Sequence, residues 1–381
     1  TNYQLPITNY QLPITNYQLP ITNYQLPITN YQLPITNYQL PITNYQLPIT
    51  NYQLLITTVM RSYSLIAPAK INLYLEIIGD RPDGYHELVM ILQSIDIADQ
   101  INLQAASTEA IHVYCNHPQV PTDKSNLAYR AAELMARQFP HIFSNFGGID
   151  ITVTKRIPVA AGLAGGSTNA AAVLVGIDLL WDLGLTKSEL EELGATLGSD
   201  VSFCISGGTA IATGRGEVLS PLPSLNQIHL VLAKYRSLEV STPWAYKTYR
   251  QEFGNSYVKN TEDEDLVARA NAVHSGEIVK AILDKDAVKI SQKLHNDLEK
   301  VVLPAYPQVL QLRELFASQE GVLGTMMSGS GPSVFAIVES KAQAEIVKQQ
   351  IRTAIPDEDL ELFVTQTIAN GIQILQGIGN R

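Results

Sequence analysis

The sequence predicts an α+β fold whose strands and helices fall into two halves. Apolar residues alternate at period two through Ile71, Leu73 and Leu75, whereas Ala170, Val173, Leu174, Ile177, Leu180 and Trp181 recur at helical spacing. The strand-like and helix-like stretches are separated rather than regularly alternating, which argues against a doubly wound parallel sheet. A break marked by Pro221 and Pro223 lies near the middle of the non-repetitive chain.

The first element is not part of that fold. Residues 1–49 are seven perfect copies of Thr-Asn-Tyr-Gln-Leu-Pro-Ile, and an eighth copy decays with Leu55 in place of proline. A proline in every seven residues denies the segment a coiled coil. Solenoid repeats have longer periods and turn residues that this unit lacks. The seven-base word ACCAATT, repeated three times and read in codons, encodes this heptapeptide, and a single C-to-T change gives Leu55. Residues 1–59 are therefore read as a translated DNA repeat, disordered or foreign to the native protein, with Met60 as the start. A functional tail is the competing reading. The segment lacks the Arg-rich start and continuous apolar core of a targeting peptide.

The body that follows has roughly 320 residues, enough for two domains sharing a cleft. Domains are expected at 60–221 and 222–381. Within the first, residues 64–78 read as strand, 80–85 as a turn cluster with Pro82 and Gly84, and 89–97 and 100–104 as two further strands. Residues 126–139 read as an amphipathic helix and 149–157 as a strand. The helix around 170–181 has Ser167, Thr168 or Asn169 available as its cap. Ser188 and Glu191 form a capping box for a short helix ending near Gly198, and 207–219 returns to strand. Beyond the break come a strand at 228–233, helices at 266–283, 286–294 and 309–316, and a strand at 333–338.

The net charge of −10 argues against a phosphate-backbone binder but leaves room for a local cationic pocket holding one nucleotide. Cys115 and Cys204 lie far apart and read as reduced packing residues of a cytoplasmic protein. No apolar stretch approaches membrane-span length. The seven histidines show no ligand spacing, so no protein-held metal is expected.

The strongest chemical signal is Pro158-Val159-Ala160-Ala161-Gly162-Leu163-Ala164-Gly165-Gly166-Ser167-Thr168-Asn169, between an expected strand and an expected helix. Small residues let a backbone approach an anion, and a helix start offers free N–H groups. No lysine follows the last glycine, so it is not a P-loop. A ligand-free tight turn would not need three glycines followed by two hydroxyls. Asp200 follows a helix stop, where a capping carboxylate is the plain reading and a proton acceptor the functional one. Lys70 interrupts an apolar strand; it is either an edge lysine or a partner that orients such a carboxylate. Ser328-Gly-Ser-Gly331-Pro-Ser333 is a second small-residue loop.

Together these segments resemble the GHMP kinase superfamily, in the family's order, with Gly166 standing as one extra residue in the first loop. Pro68-Ala-Lys70-Ile-Asn72-Leu73 and Asp83-Gly-Tyr85-His86-Glu-Leu88 are similar to the opening signatures of its cytidyl-substrate branch. The resemblance runs from about residue 64 to about 374. Ala160 and Ala164 stand where many relatives have glycine; alanine also fits compact loops.

The resemblance implies a ribosomal-S5-domain-2-like N-terminal half, a ferredoxin-like C-terminal half and a site between them. It implies Asp200 as general base with Lys70 as its partner. The loop 158–168 would hold the ATP phosphates, with Ser167 or Thr168 near a Mg²⁺ that ATP brings. Asn126, Leu127 and Lys155 would line the adenosine pocket. Tyr85 and Tyr246 would sandwich a cytosine ring, with His86 on its edge. Asn72, Thr242, Gly329, Ser330 and Gly331 would contact the rest of a cytidyl-diphosphate polyol, phosphorylated on its 2-hydroxyl in isoprenoid-precursor synthesis. A homoserine- or mevalonate-type kinase and a catalytically silent metabolite binder are the alternatives. A monomer or homodimer is expected, with no nucleic acid or membrane partner.

Overall fold

Two strands far longer than the usual five or six residues organise the molecule. They are β1 (Ser62–Asp80) and β2 (His86–Ala105), joined by the turn at 81–85. The computed structural model describes residues 62–106, 108–257, 272–273 and 276–378. The expectations for residues 1–59, and for residues 266–271 and 274–275 of the helix at 266–283, lie outside them.

β1 and β2 are long because each serves different neighbours at its two ends. The first part of β1 pairs with the last strand, β12 (Gln373–Ile378), while Tyr74 and Leu75 pair with β8 (His295–Asn296). One end of β2 pairs with β4 (Ile149–Thr154) and the other with β5 (Thr209–Gly214). β3 (Ile111–Cys115) and β6 (Val218–Leu222) complete this eight-stranded sheet. The two strands expected at 89–97 and 100–104 are thus one. A register shift, with Ala98 opposite Pro68 but Ile95 opposite Ala69, absorbs the break in the pattern. A second sheet is antiparallel, in the order β11 (Leu360–Gln366), β7 (His229–Tyr235), β10 (Val334–Val338), β9 (Val322–Met327).

The expected break at 221–223 overlaps the end of β6, the last strand of the first sheet's main run, and precedes β7, the first strand of the second. The chain returns to the first sheet with β8 and β12.

Helices α1 (Leu127–Gln138) and α3 (Gly165–Trp181) bury alanine-rich faces against the first sheet in one core, with Ala128, Ala131, Ala171 and Leu174 fully buried. Between them in the chain lies the short α2 (Pro140–Phe146). α4 (Lys187–Leu197) and α5 (Ser199–Ser206) follow. The remaining helices are α6 (Thr242–Phe253), α7 (Glu277–Leu283), α8 (Ala287–Gln292), α9 (Glu299–Ala305), α10 (Pro307–Ala317) and α11 (Lys341–Ala354). Two further cores mix side chains of both sheets, as in the packing of Leu75 and Leu92 with Val231 and Val334.

Two helix starts differ from expectation. The cap of α4 is Thr186, which shares reciprocal bonds with Glu189, so the box opens two residues before Ser188. α3 begins at Gly165 behind Ala164, which is left-handed and makes no side-chain cap bond; none of Ser167, Thr168 and Asn169 caps it. Backbone coiling there replaces a hydroxyl.

Candidate active site

Lys70 is buried in the interior of β1, between register shifts at Pro68/Ala69 and Asn72/Tyr74 that bend the strand locally. β1 pairs with β2 on one side along its whole length, and the Lys70 backbone N–H donates to Leu163 O at 3.1 Å on the other, so an edge lysine is ruled out. Two residues on, Asn72 shares its strand face. Lys70 Nζ donates to Asn72 Oδ1 at 2.9 Å and stands 3.5 Å from Asp200 Oδ2. Asp200 is the second residue of α5, whose cap is Gly198, and it makes no capping bond. Its carboxylate is therefore free of the structural task that the sequence allowed, and instead faces a buried ammonium.

The loop at 158–168 closes over this pair. Ala160, Gly162 and Ala164 are all left-handed, at φ 50°, 71° and 57°. Such coiling turns backbone N–H groups into anion-binding concavities. The two alanines adopt it at a cost of about 1–2 kcal/mol each that glycine would avoid. Gly162 is obligatory for a second reason: a Cβ there would lie 2.3 Å from Ser328 O. The late loop packs directly on the first, with Ser328 Oγ donating to Gly162 O at 3.1 Å. Asn296 holds the late loop from below, donating to Met327 O and Gly329 O, each at 2.8 Å.

Asn126 caps α1, its Oδ1 accepting from Ala128 N at 2.8 Å. Lys155 ends in a buried network rather than in open space. Its ammonium pairs with Asp99 and donates to Asn169 Oδ1 at 3.3 Å.

At the opposite end, the turn at 81–85 carries Tyr85, which is 53% exposed, beneath the Arg215 guanidinium 5.0 Å from its ring centroid. His86 is buried and lies 5.1 Å from the Tyr246 ring. Among the described residues its Nε2 has no hydrogen-bond partner; the nearest carboxylate oxygen there, Asp80 Oδ1, is 3.9 Å away. Burial first, and the Arg250 charge second, push the imidazole below its ordinary value against the opposing pull of Asp80, which keeps the ring neutral near pH 7. Arg250 on α6 ties the turn down, with Nε 2.6 Å from Asp80 Oδ1 and Nη2 donating to Gly84 O at 3.3 Å. Burial, followed by the Asp200 charge, drives the Tyr246 hydroxyl upward, so it remains a neutral phenol. Thr242 Oγ1 lies 2.7 Å from Ser330 Oγ, joining α6 to the late loop.

These segments line one cavity of about 770 Å³, within the range of small-molecule sites. Every site residue expected from sequence borders it except two. Thr168 is fully buried and faces the Cys204 thiol, because the first turn of α3 rotates it into the core while Ser167 stays toward the cavity. Gly331 is folded into the late loop away from the cavity, its N–H bonded to Ser328 O at 2.9 Å. Sequence reading missed Asp99, Arg215, Arg250 and Asn296, and gave Asn169 only a place at the end of the loop motif and as a possible cap. None has a spacing signal, because each acts on partners distant in the chain.

The family profile described as GHMP kinases N terminal domain matches residues 126–208, and that described as GHMP kinases C terminal matches residues 278–357. The mixed architecture is the two-domain GHMP kinase fold. A 4-diphosphocytidyl-2-C-methyl-D-erythritol kinase of Nostoc punctiforme is 76% identical over 84% of this chain and 100% of its own length. One from Trichormus variabilis is 77% identical over 83% of this chain and 99% of its own. A crystal structure of 4-(cytidine 5'-diphospho)-2C-methyl-D-erythritol kinase superposes with a TM-score of 0.61 at 28% identity, covering 80% of this chain and 98% of that one. The chain is an ATP-dependent kinase and belongs to the 4-diphosphocytidyl-2-C-methyl-D-erythritol kinase family of the GHMP kinases.

Proposed function

We propose that the chain transfers the γ-phosphoryl group of ATP to the 2-hydroxyl of 4-diphosphocytidyl-2-C-methyl-D-erythritol, giving the 2-phosphate and ADP in isoprenoid precursor synthesis. The observation that carries this reading is the Lys70–Asp200 pair, 3.5 Å apart in the cavity where the two glycine loops meet. Phosphoryl transfer asks little covalent chemistry of a protein; it asks for alignment and charge neutralisation. Asp200 accepts the proton of the acceptor hydroxyl. The oxygen then bonds to the γ-phosphorus as the bond to the bridging oxygen of ADP breaks. Lys70 offsets the charge that builds on the reacting oxygens.

Asn126, Leu127 and the Lys155 stem border the adenosine, and the backbone of 158–167 holds its phosphates. Tyr85 and Tyr246 flank the cytosine, and the unpartnered Nε2 of His86 supports a hydrogen bond to its edge. Asn72, Thr242, Gly329 and Ser330 face the diphosphate and polyol. Mg²⁺ suits the hard oxygen donor on offer at the loop, the Ser167 hydroxyl. Bound with ATP, it would neutralise phosphate charge, held mainly by the phosphates themselves.

The kinase occupies residues 60–381, as halves 60–221 and 222–381 with the final strand returned to the first sheet, and the repeat at 1–59 contributes nothing to catalysis. It works as a monomer or homodimer in the cytoplasm, where two unpaired cysteines are at home. ATP consumption with the cytidyl polyol, homoserine and mevalonate offered side by side tests the reading. Turnover confined to the cytidyl polyol is expected; preference for either other alcohol would overturn it.

A further inference from the structure

One buried carboxylate has no part in the chemistry above. Asp99 is wholly inaccessible, on β2 directly opposite Ala67 of β1, three residues from Lys70. Burying a charge this deeply is costly unless it is paired and fully hydrogen-bonded, and Asp99 is both. Oδ1 accepts from the backbone N–H groups of Arg156 at 2.7 Å and Ile157 at 2.9 Å. Oδ2 accepts from Asn169 Nδ2 at 2.7 Å and pairs with the Lys155 ammonium. Asn169 closes the circuit by accepting from Lys155 at 3.3 Å.

The partners are not scattered. Arg156 and Ile157 are the last residues before the phosphate loop, and Asn169 lies in the second turn of α3, just after it. The Lys155 ammonium lies beneath the loop's exit, 3.0 Å from where a Cβ on Gly165 would stand. One carboxylate thus grips both ends of the loop and the cation under it. The loop's own residues are small and supply few side-chain anchors of their own.

Building on the kinase reading, we propose that Asp99 is a positioning residue that, through Lys155 and Asn169, fixes the phosphate loop in its ATP-binding shape without itself touching substrate. A merely structural ion pair would support the fold and leave ligand affinities alone. A positioning device weakens ATP selectively, because the cytidyl end shares none of these bonds.

The test uses the full chain carrying Asp99→Asn or Asn169→Ala, with Mg-ATP affinity measured by calorimetry and KM for the cytidyl polyol measured separately. The Kd for Mg-ATP is expected to rise roughly 10- to 100-fold, as displaced binding groups do, and the cytidyl KM to stay within about twofold. Should Asp99→Asn fail to fold, because it strands the Lys155 charge, Asn169→Ala carries the test alone, since Asp99 and Lys155 keep each other. Wild-type affinity for Mg-ATP in a folded variant, with only the melting temperature lowered, overturns the proposal. Equal losses for both ligands overturn it as well. The calorimetry needs no turnover, so a wild-type protein inactive on the cytidyl polyol would sink the function and still leave this device tested.

Discussion

The two ends of the cavity are made of different material. At the phosphate end, backbone packs on backbone. A contiguous stretch, 158–167, coils through left-handed residues and rests on the late loop so closely that Gly162 has no room for a Cβ. At the cytidyl end, side chains from three distant segments meet: Tyr85 and His86 beyond the first turn, Arg215 after β5, and Tyr246 and Arg250 on α6. The first end is fixed by sterics and is sensitive to added atoms. The second is fixed by rings and charges and is sensitive to removed ones. Lys70, whose backbone N–H bonds to Leu163 O, and Asp200, whose charge reaches the Tyr246 hydroxyl, stand where the two ends meet.

The largest effect is therefore expected where the ends join. Asp200→Asn keeps shape and removes the proton acceptor, so turnover should fall by roughly two to four orders of magnitude. Affinity for each ligand should change little, since neither end loses a contact. Near-normal turnover in this variant would show that Asp200 has no part in the chemistry.

Gly162→Ala probes the phosphate end. Its methyl meets Ser328 O at 2.3 Å in a backbone conformation that alanine resists, so both loops must move. A loss of about 3 kcal/mol in stability is expected from strain of this kind, with Mg-ATP binding lost as well. Gly166→Ala is the control. Its nearest neighbour would be Leu127 Cδ1 at an ordinary 3.5 Å, inside a helix that alanine favours. Denaturant midpoints that fell equally in both variants would mean that close packing does not set this end.

This contrast also explains what was legible in the sequence. The phosphate loop could be read because its parts are contiguous and its residue types unusual, and Lys70 because a lysine amid apolar strand residues needs a reason. The start of α3 could not, because Ala164 caps it through backbone shape and the rules for reading caps look for a side-chain oxygen. Thr186 and Ser188 each stand three residues before a glutamate, and only packing chooses between the two boxes. The merged strand β2 was hidden by its own bulge. Asp99 and Asn169 meet across 70 residues, and Arg250 meets Asp80 across 170; no periodicity carries such pairings. The side-chain-built end was readable only through family resemblance, at Tyr85, His86 and Tyr246.

Tyr85→Ala tests that end by removal. Stacking on a base contributes roughly 1–3 kcal/mol per ring, so KM for the cytidyl polyol should rise about 5- to 150-fold. Mg-ATP affinity should hold, because Tyr85 stands on the turn at 81–85, whereas the phosphate loop bonds to the backbone of Lys70 in the interior of β1. A rise shared by both ligands would make Tyr85 a support for the whole cavity and would blur the distinction between its ends.

The smallest effect distinguishes the ends by charge. His86 resists protonation in the folded protein, through burial first and the Arg250 charge second. Tyr246 and Tyr257 face it as neutral phenols, their hydroxyls both pushed upward, the latter to about 12, while Asp80 pulls the other way. In the unfolded chain it titrates near its ordinary value of about 6.5. Between that value and the lower folded one, the unfolded state binds more protons, so stability rises with pH through this window. His86 therefore stabilises fully above about pH 6.5 and progressively less as pH falls. Thermal melts at several pH values between about 7 and 5 should show a shallower decline for His86→Gln than for wild type. Arg250→Gln should shrink the decline too, since losing that charge and freeing Asp80 both bring the imidazole back toward its ordinary value. Other carboxyl groups also titrate in this range, but they are common to wild type and His86→Gln and cancel in that comparison. Identical slopes in wild type and His86→Gln would mean that His86 does not resist protonation in the folded protein.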